Sequence, residues 1–156
     1  MTATGAARWK WLALVAALAA LGVGAYLVWP QPPPQEQVLN TILDAADAVE
    51  RKDVGGCLKH VSEDYQDSYG NTKRDLMRRA VGGLREVGDL NVSIYQPEVQ
   101  VQGDQATARF RAVLRQMQRG ATVQELTLSI TATFRREGRH WRVVHAEGWQ
   151  PAEEEL

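Results

Sequence analysis

The chain has 156 residues, a formal net charge of −1 and one cysteine. The near balance of basic and acidic residues argues against a nucleic-acid-binding protein, because such proteins carry a clustered basic surface. One cysteine excludes an intrachain disulfide, and the apolar neighbours of Cys57 predict a buried structural thiol. About 120 residues follow the apolar N-terminus, which is enough for one small domain.

Residues 11–29 form an uncharged apolar run with aromatic residues at both ends. A helix of that length is roughly 28 Å long, close to the thickness of the hydrocarbon core of a bilayer. Arg8 and Lys10 precede the run, so the positive-inside rule places residues 1–10 in the cytoplasm and the rest of the chain outside it. The pattern predicts a single-pass transmembrane anchor. The alternative is a signal peptide cleaved near residues 23–25.

Three further boundaries follow from composition. Residues 30–35 are rich in proline and predict an extended polyproline II spacer. Residues 36–150 carry the periodic patterns of a folded domain, and residues 151–156 form an acidic tail.

The first part of the domain predicts three helices. Apolar residues between Val38 and Val49 recur at helical spacing, and a short second helix is expected over roughly 54–61. Thr72 followed by Asp75 is typical of a helix start, and the third helix is expected to continue to Val87.

After Gly88 the pattern changes to period two and predicts four strands. The first covers about 91–102, where Pro97 implies a bulge or an edge position. Gly103-Asp104 and Glu137-Gly138 are plausible hairpin turns. A two-residue turn at 137–138 places Phe134 opposite Trp141. A three-residue turn would point the other set of side chains of the last strand to the apolar face of the sheet. Under the two-residue turn, the residues of the last strand that share the apolar face are Trp141, Val143, His145, Glu147 and Trp149.

Two segments, VSEDYQDSYGNTKRDL and WRVVHAEGW, carry a family resemblance together with the order of the helices and strands. The chain resembles the nuclear-transport-factor-2-like superfamily, which includes ketosteroid isomerases and SnoaL-like polyketide cyclases. The resemblance implies an α+β fold in which three helices pack on a curved four-stranded antiparallel sheet. It also implies a cone whose interior can form a pocket, and a bacterial inner-membrane protein with a periplasmic or extracellular domain.

The isomerases of this superfamily place a base aspartate three residues before a loop glycine, and Asp67 stands three before Gly70. The interval between Asp64 and Asp67 is shorter than in that family. The catalytic hypothesis takes Asp67 or Glu147 as the base, with His145 and Tyr65 polarising a carbonyl group. The residues expected to line the pocket are Tyr65, Phe110, Trp141, His145, Glu147 and Trp149.

A structural interpretation of the same residues stands beside the catalytic one. Asp64 and Asp67 can cap the following helix, and Gly70 can supply a turn with positive φ. The three histidines lack the spacing of metal ligands, and no phosphate loop or dinucleotide motif is present, so no metal or cofactor is expected.

The segment from Arg109 to Arg142 contains eight arginines and only two glutamates. They predict either a solvated face or a surface for a partner. The expected partner is an envelope protein of acidic character, anionic lipid headgroups or, as the resemblance implies, a second copy of the chain. The residues assigned to this surface are Arg109, Arg111, Arg115 and Arg135.

These observations predict a membrane-anchored, non-catalytic domain that binds a partner protein or a small ligand in an envelope process. The alternative is an anchored isomerase-like or cyclase-like enzyme. The openness of the cone and the positions of Asp67, His145 and Glu147 distinguish the two hypotheses.

Overall fold

The computed structural model describes residues 15–23 and 30–149. The chain divides into two compact units at Pro32 and Pro33. Residues 15–23 are helical and exposed. Within the described residues no helix is both long and apolar enough to cross a membrane. The predicted span 11–29 continues outside these residues at both ends, and the acidic tail lies outside them too, so both remain predictions.

Three helices open the second unit. Helix α1 begins with a proline, whose fixed φ suits the first helical turn, and α2 is a single short helix. Helix α3 begins after Thr72 as the sequence predicts, because the Asp75 carboxylate accepts hydrogen bonds from Thr72 N at 2.9 Å and Thr72 Oγ1 at 2.8 Å. These bonds lower the pKa of Asp75 to about 2. The three helices are α1 (Pro34–Glu50), α2 (Val54–Leu58) and α3 (Lys73–Glu86).

Four antiparallel strands follow in the spatial order β1-β2-β3-β4, so each strand pairs with its neighbour in sequence. The first hairpin turn lies at Gly103-Asp104, as predicted, with Gln102 paired to Gln105. The pairing of β1 and β2 shifts between Tyr95 and Glu98, which places the expected bulge at Pro97. The strands are β1 (Asp89–Gln102), β2 (Gln105–Gln118), β3 (Ala121–Glu137) and β4 (His140–Glu147).

The core lies between α1 and one face of the sheet. Val38 and Ile42 of α1 are buried against Phe134 and Trp141 of the last two strands. Helix α3 differs, since none of its residues is buried. The apolar face of the sheet and one stripe of α1 therefore supply most of the hydrophobic stabilisation.

The turn between β3 and β4 lies one residue later than predicted. Glu137 pairs with His140, so Gly138-Arg139 forms the turn and Phe134 pairs with Val143 instead of Trp141. The later turn shifts the pairing of β4 with β3 by two positions. Because the shift is an even number, Trp141 and Val143 stay on the inner face.

A β-bulge in β4 overturns the rest of that prediction. The register shifts between Thr133 and Phe134, and Val144 becomes the extra residue. His145 then pairs with Thr133 and Glu147 with Thr131 on the outer face, while Ala146 takes the buried inner position. The prediction that His145 and Glu147 point into the cone is wrong, because one extra residue reverses the alternation of side chains.

Gly148 ends β4 in a conformation that only glycine adopts easily. Its φ is +75°, and a Cβ added there would overlap the carbonyl oxygen of Ser129. The close approach lets the chain turn directly from β4 toward Trp149.

We expect Gly148→Ala to lower the free energy of unfolding by at least about 2 kcal/mol, because it adds backbone strain and a steric clash. Gly82→Ala in α3 is the matched control. It has open space around its Cβ position and should be neutral or stabilising by up to about 1 kcal/mol. Chemical denaturation of both variants measures the difference, and equal stability would contradict the assigned close approach.

Candidate functional site

The acidic loop between α2 and α3 is fastened to the free edge of β4. Ser62 N donates to Val143 O at 2.9 Å, Val143 N donates to His60 O at 2.8 Å, and Gln66 N donates to Val144 O at 3.1 Å. The loop therefore covers the last edge of the sheet, which would otherwise expose unpaired backbone groups.

Asp67 is the most densely hydrogen-bonded side chain of this loop, and it is only 4% exposed. Its Oδ1 accepts from Tyr69 N at 2.9 Å and from Asn71 N at 2.8 Å. Its Oδ2 accepts from Trp149 Nε1 and from Asn71 Nδ2, both at 3.0 Å. Gly70, at φ +78°, closes the tight turn around the carboxylate.

These donors determine the acidity of Asp67. Burial opposes ionisation, but the hydrogen bonds from Asn71, Tyr69 and Trp149 outweigh it and hold the pKa of Asp67 below its ordinary value. A general base needs a pKa near the working pH and a lone pair within reach of the substrate proton. Asp67 is a weaker base than a free carboxylate, and its oxygens are already occupied.

Tyr65 is buried beside Asp67, with its hydroxyl 3.5 Å from Oδ2. Burial, together with the adjacent negative charge of Asp67, raises the pKa of the Tyr65 phenol. The phenol therefore stays protonated, and the hydrogen that the catalytic hypothesis assigns to a carbonyl substrate points toward Asp67 instead.

His145 forms a link between β4 and the acidic loop. Its Nδ1 lies 2.6 Å from Gln66 O and its Nε2 lies 3.3 Å from Glu147 Oε1. Nδ1 must carry a proton to donate to a carbonyl oxygen. This bond, and then the interaction with Glu147, raise the pKa of His145. The pair lies on the partly exposed outer side of β4 and fastens the loop there.

The interior of the cone contains an apolar cavity of about 260 Å³ between α1 and the inner face of the sheet. Six of its lining residues are buried, among them Phe134 and Leu128, and the others are partly exposed, so the cavity reaches solvent at its rim. The lining comprises Ile42, Ala45, Ala46, Val49, Val92, Ile94, Phe110, Ala112, Leu114, Leu128, Ile130, Ala132, Phe134, Val143 and Ala146.

Only one residue of the predicted pocket, Phe110, lines this cavity. Tyr65 and Trp141 are buried in the core, and Trp149 is half-buried with its indole on Asp67. His145 and Glu147 lie on the outer face of β4. The sequence signal that locates the cavity is a set of small residues on opposed apolar faces, which leave volume unfilled. The alanines concerned are Ala45, Ala46, Ala112, Ala132 and Ala146.

The predicted arginine surface divides into two parts. Arg115 Nε contacts Glu125 Oε2 at 2.7 Å, and Arg135 Nη2 contacts Asp64 Oδ2 at 2.7 Å and Glu137 Oε1 at 2.6 Å. Arg109 and Arg111 are exposed beside the bulge of β1. Two of the four assigned arginines are therefore paired with carboxylates and offer less charge to a partner. Arg111 Nη2 donates to the neutral Gln96 Oε1 at 3.3 Å.

Residues 15–23 and 30–149 contain no group of three histidine, cysteine, aspartate or glutamate side chains close enough to hold a metal ion.

We expect Asp67→Asn to destabilise the domain by about 2–4 kcal/mol, because an amide would place a donor against other donors in a buried site. The folded-state pKa of Asp67 is depressed. The contribution of the Asp67 charge to the free energy of unfolding is therefore fully present above the pKa of the unfolded state, about 3.9. It is lost as the pH falls through the lower pKa of the folded state. Denaturation curves between neutral pH and about pH 3 should show the stability of the variant falling less steeply than that of the parent.

The matched control is Asp47→Asn, because Asp47 is exposed and lies 3.9 Å from Arg51. It should change the free energy of unfolding by less than about 0.5 kcal/mol. Equal effects of the two substitutions would show that the buried hydrogen bonds of Asp67 contribute nothing particular to stability.

Solved structures with the same architecture come from several bacteria. An NTF2-like protein with a cystatin-like fold from Novosphingobium aromaticivorans is 21% identical, with a TM-score of 0.64, over 86% of this chain and 85% of that one. An NTF2-like protein of unknown function from Pseudomonas putida is 20% identical, with a TM-score of 0.64, over 78% and 89% of the two chains.

An NTF2-like superfamily protein from Salmonella enterica is 16% identical, with a TM-score of 0.62, over 78% of this chain and 94% of that one. No protein-family model and no curated protein matches the chain. At these identities the likeness shows the fold alone: residues 34–149 adopt the same α+β architecture as these NTF2-like proteins.

Proposed function

We propose that the chain is a binding domain that holds a small apolar molecule in the cavity of its cone. The observation that carries this proposal is the lining of the cavity, which consists entirely of aliphatic and aromatic side chains. Water gains little by entering such a cavity, because it finds no hydrogen-bond partners on apolar walls. An apolar guest removes its own surface from water and gains dispersion contacts with the walls.

The size of the cavity indicates the class of guest. An apolar cavity of about 150 Å³ is large enough to bind benzene. At about 260 Å³, the cavity suits a fused bicyclic ring system or the end of one acyl chain. The partly exposed rim formed by Val49, Val92 and Leu114 leaves room for a polar end of the guest to stay in water.

The placement of the polar candidates supports binding rather than catalysis by those residues. Asp67, His145 and Glu147 do not line the cavity, so a molecule held there would not meet the base of the isomerase hypothesis. Binding needs only the apolar walls, whereas proton transfer needs a carboxylate within hydrogen-bond reach of the substrate.

The proposal extends to location. The uncharged run 11–29 and the basic residues before it support a single membrane anchor, with the binding domain on the far side of a bacterial inner membrane. The proline-rich residues 30–33, which precede α1, would serve as the spacer. In a cell expressing the full chain, protease added outside the inner membrane should degrade the domain, and the intact mass should include residues 1–29. A mass that lacks the residues up to the predicted cleavage site near 23–25 would indicate a cleaved signal peptide instead.

Binding to the cavity is tested with N-phenyl-1-naphthylamine, whose fluorescence rises in apolar surroundings. We expect the full chain to bind one molecule in the cavity and decanol to displace it. Ala112→Leu, which adds bulk to the cavity wall, should weaken this binding at least tenfold. Ala46→Leu fills the cavity from α1 and gives a second variant in case the first fails to fold.

The matched control is Ala121→Leu, because Ala121 is exposed at the start of β3 and does not line the cavity. This control makes the same substitution outside the site and should leave displaceable binding unchanged. Equal binding by Ala112→Leu, Ala46→Leu and Ala121→Leu would overturn the proposal, because it would place the dye elsewhere on the chain.

A further inference from the structure

Helix α3 leaves part of its apolar side exposed. It has 14 residues and none of them is buried. Leu76 packs against the core cluster, but Met77 is 44% exposed and Val81 is 36% exposed. These two residues are four apart, so they lie one above the other on the same side of the helix.

The same helix is basic. It carries five basic and two acidic residues. Lys73 pairs with Glu63, and Arg78 pairs with Asp75. The side chains of Arg74 and Arg85 form no hydrogen bond or ion pair with the part of the chain that the structure describes.

Basic and apolar residues meet at the exposed side of α3. Arg74 and Arg78 each lie three residues before Met77 and Val81, respectively, so every exposed apolar side chain has an arginine beside it. Arg85 continues the row one turn after Val81. At the start of the helix, a groove of about 710 Å³ lies between Leu58 and Met77. Its wall carries Arg74 and the ion pairs of Lys73 with Glu63 and of Arg78 with Asp75.

We propose that this side of α3, formed by Met77, Val81, Arg74 and Arg85, docks on an anionic lipid surface. A helix of this kind lies in the plane of the interface, with its apolar residues among the acyl chains and its basic residues at the headgroups. The charge complementarity identifies the occupant, because acidic headgroups attract basic residues at short range. Long arginine side chains also reach the headgroups while their methylenes stay in the apolar layer.

The docking surface differs from the arginine surface predicted on the sheet. Arg115 and Arg135 of that surface are engaged with carboxylates, whereas Arg74 and Arg85 are available and adjoin exposed apolar residues. The inference goes beyond the proposed function, since lipid docking by α3 does not require the cavity to be occupied.

An environment-sensitive fluorophore at Met77→Cys, in a Cys57→Ala background of the full chain, reports α3 docking separately from any membrane insertion of residues 11–29. We expect a blue-shifted, brighter emission with vesicles of phosphatidylcholine containing about three parts in ten phosphatidylglycerol. Vesicles of phosphatidylcholine alone should give little change. The shift should decline with added salt, because headgroup attraction is screened within a Debye length.

Arg74→Gln combined with Arg85→Gln should weaken docking by about fivefold for each arginine removed. Arg109→Gln combined with Arg111→Gln removes the same charge from the sheet and should have no effect. Equal emission in neutral and anionic vesicles, or equal loss in both double variants, would overturn the proposal. A fluorophore at Ser129→Cys, on the outer face of the sheet, should stay in water throughout.

Discussion

The hydrogen bonds to the buried carboxylate of Asp67 hold together the acidic loop, the start of α3 and the end of the sheet. The carboxylate collects donors from the loop itself, from Asn71 at the start of α3 and from the Trp149 indole beyond β4. Asn71 in turn accepts from Arg79 Nη2 at 3.1 Å. A single ionised group therefore joins three parts of the chain, and a buried charge of this kind is tolerated because its lone pairs are satisfied.

The polar residues of the catalytic hypothesis and the apolar cavity lie in different parts of the domain. The loop residues that look catalytic in the sequence fasten one edge of the sheet, and His145 and Glu147 reinforce that edge from the outer face of β4. The space lies elsewhere, between α1 and the centre of the sheet, where only apolar side chains are found. In this chain the carboxylates of the loop make structural hydrogen bonds, and the cavity has apolar walls.

Periodicity in the sequence predicted most of the architecture. The helical spacing in α1, the cap at Thr72, the hairpin turn at Gly103-Asp104 and the bulge at Pro97 follow from local patterns and agree with the structure. The facing of His145 could not be predicted in the same way, because the bulge at Val144 arises from pairing between strands and with the acidic loop. The lining of the cavity could not be predicted from local patterns either, because it depends on which alanines of α1 and the sheet lie opposite one another in the folded domain.

We propose that the apolar cavity, and not the acidic loop, receives a small apolar ligand. Methyl and indole resonances of the full chain, followed during titration with naphthalene, test it most directly. The account predicts that the methyl signals of Ile42, Leu128 and Ile130 shift together, while the Trp149 indole N–H, held on Asp67, stays in place. Shifts confined to Trp149 and the loop amides around Asp67, with the methyl signals unchanged, would contradict it.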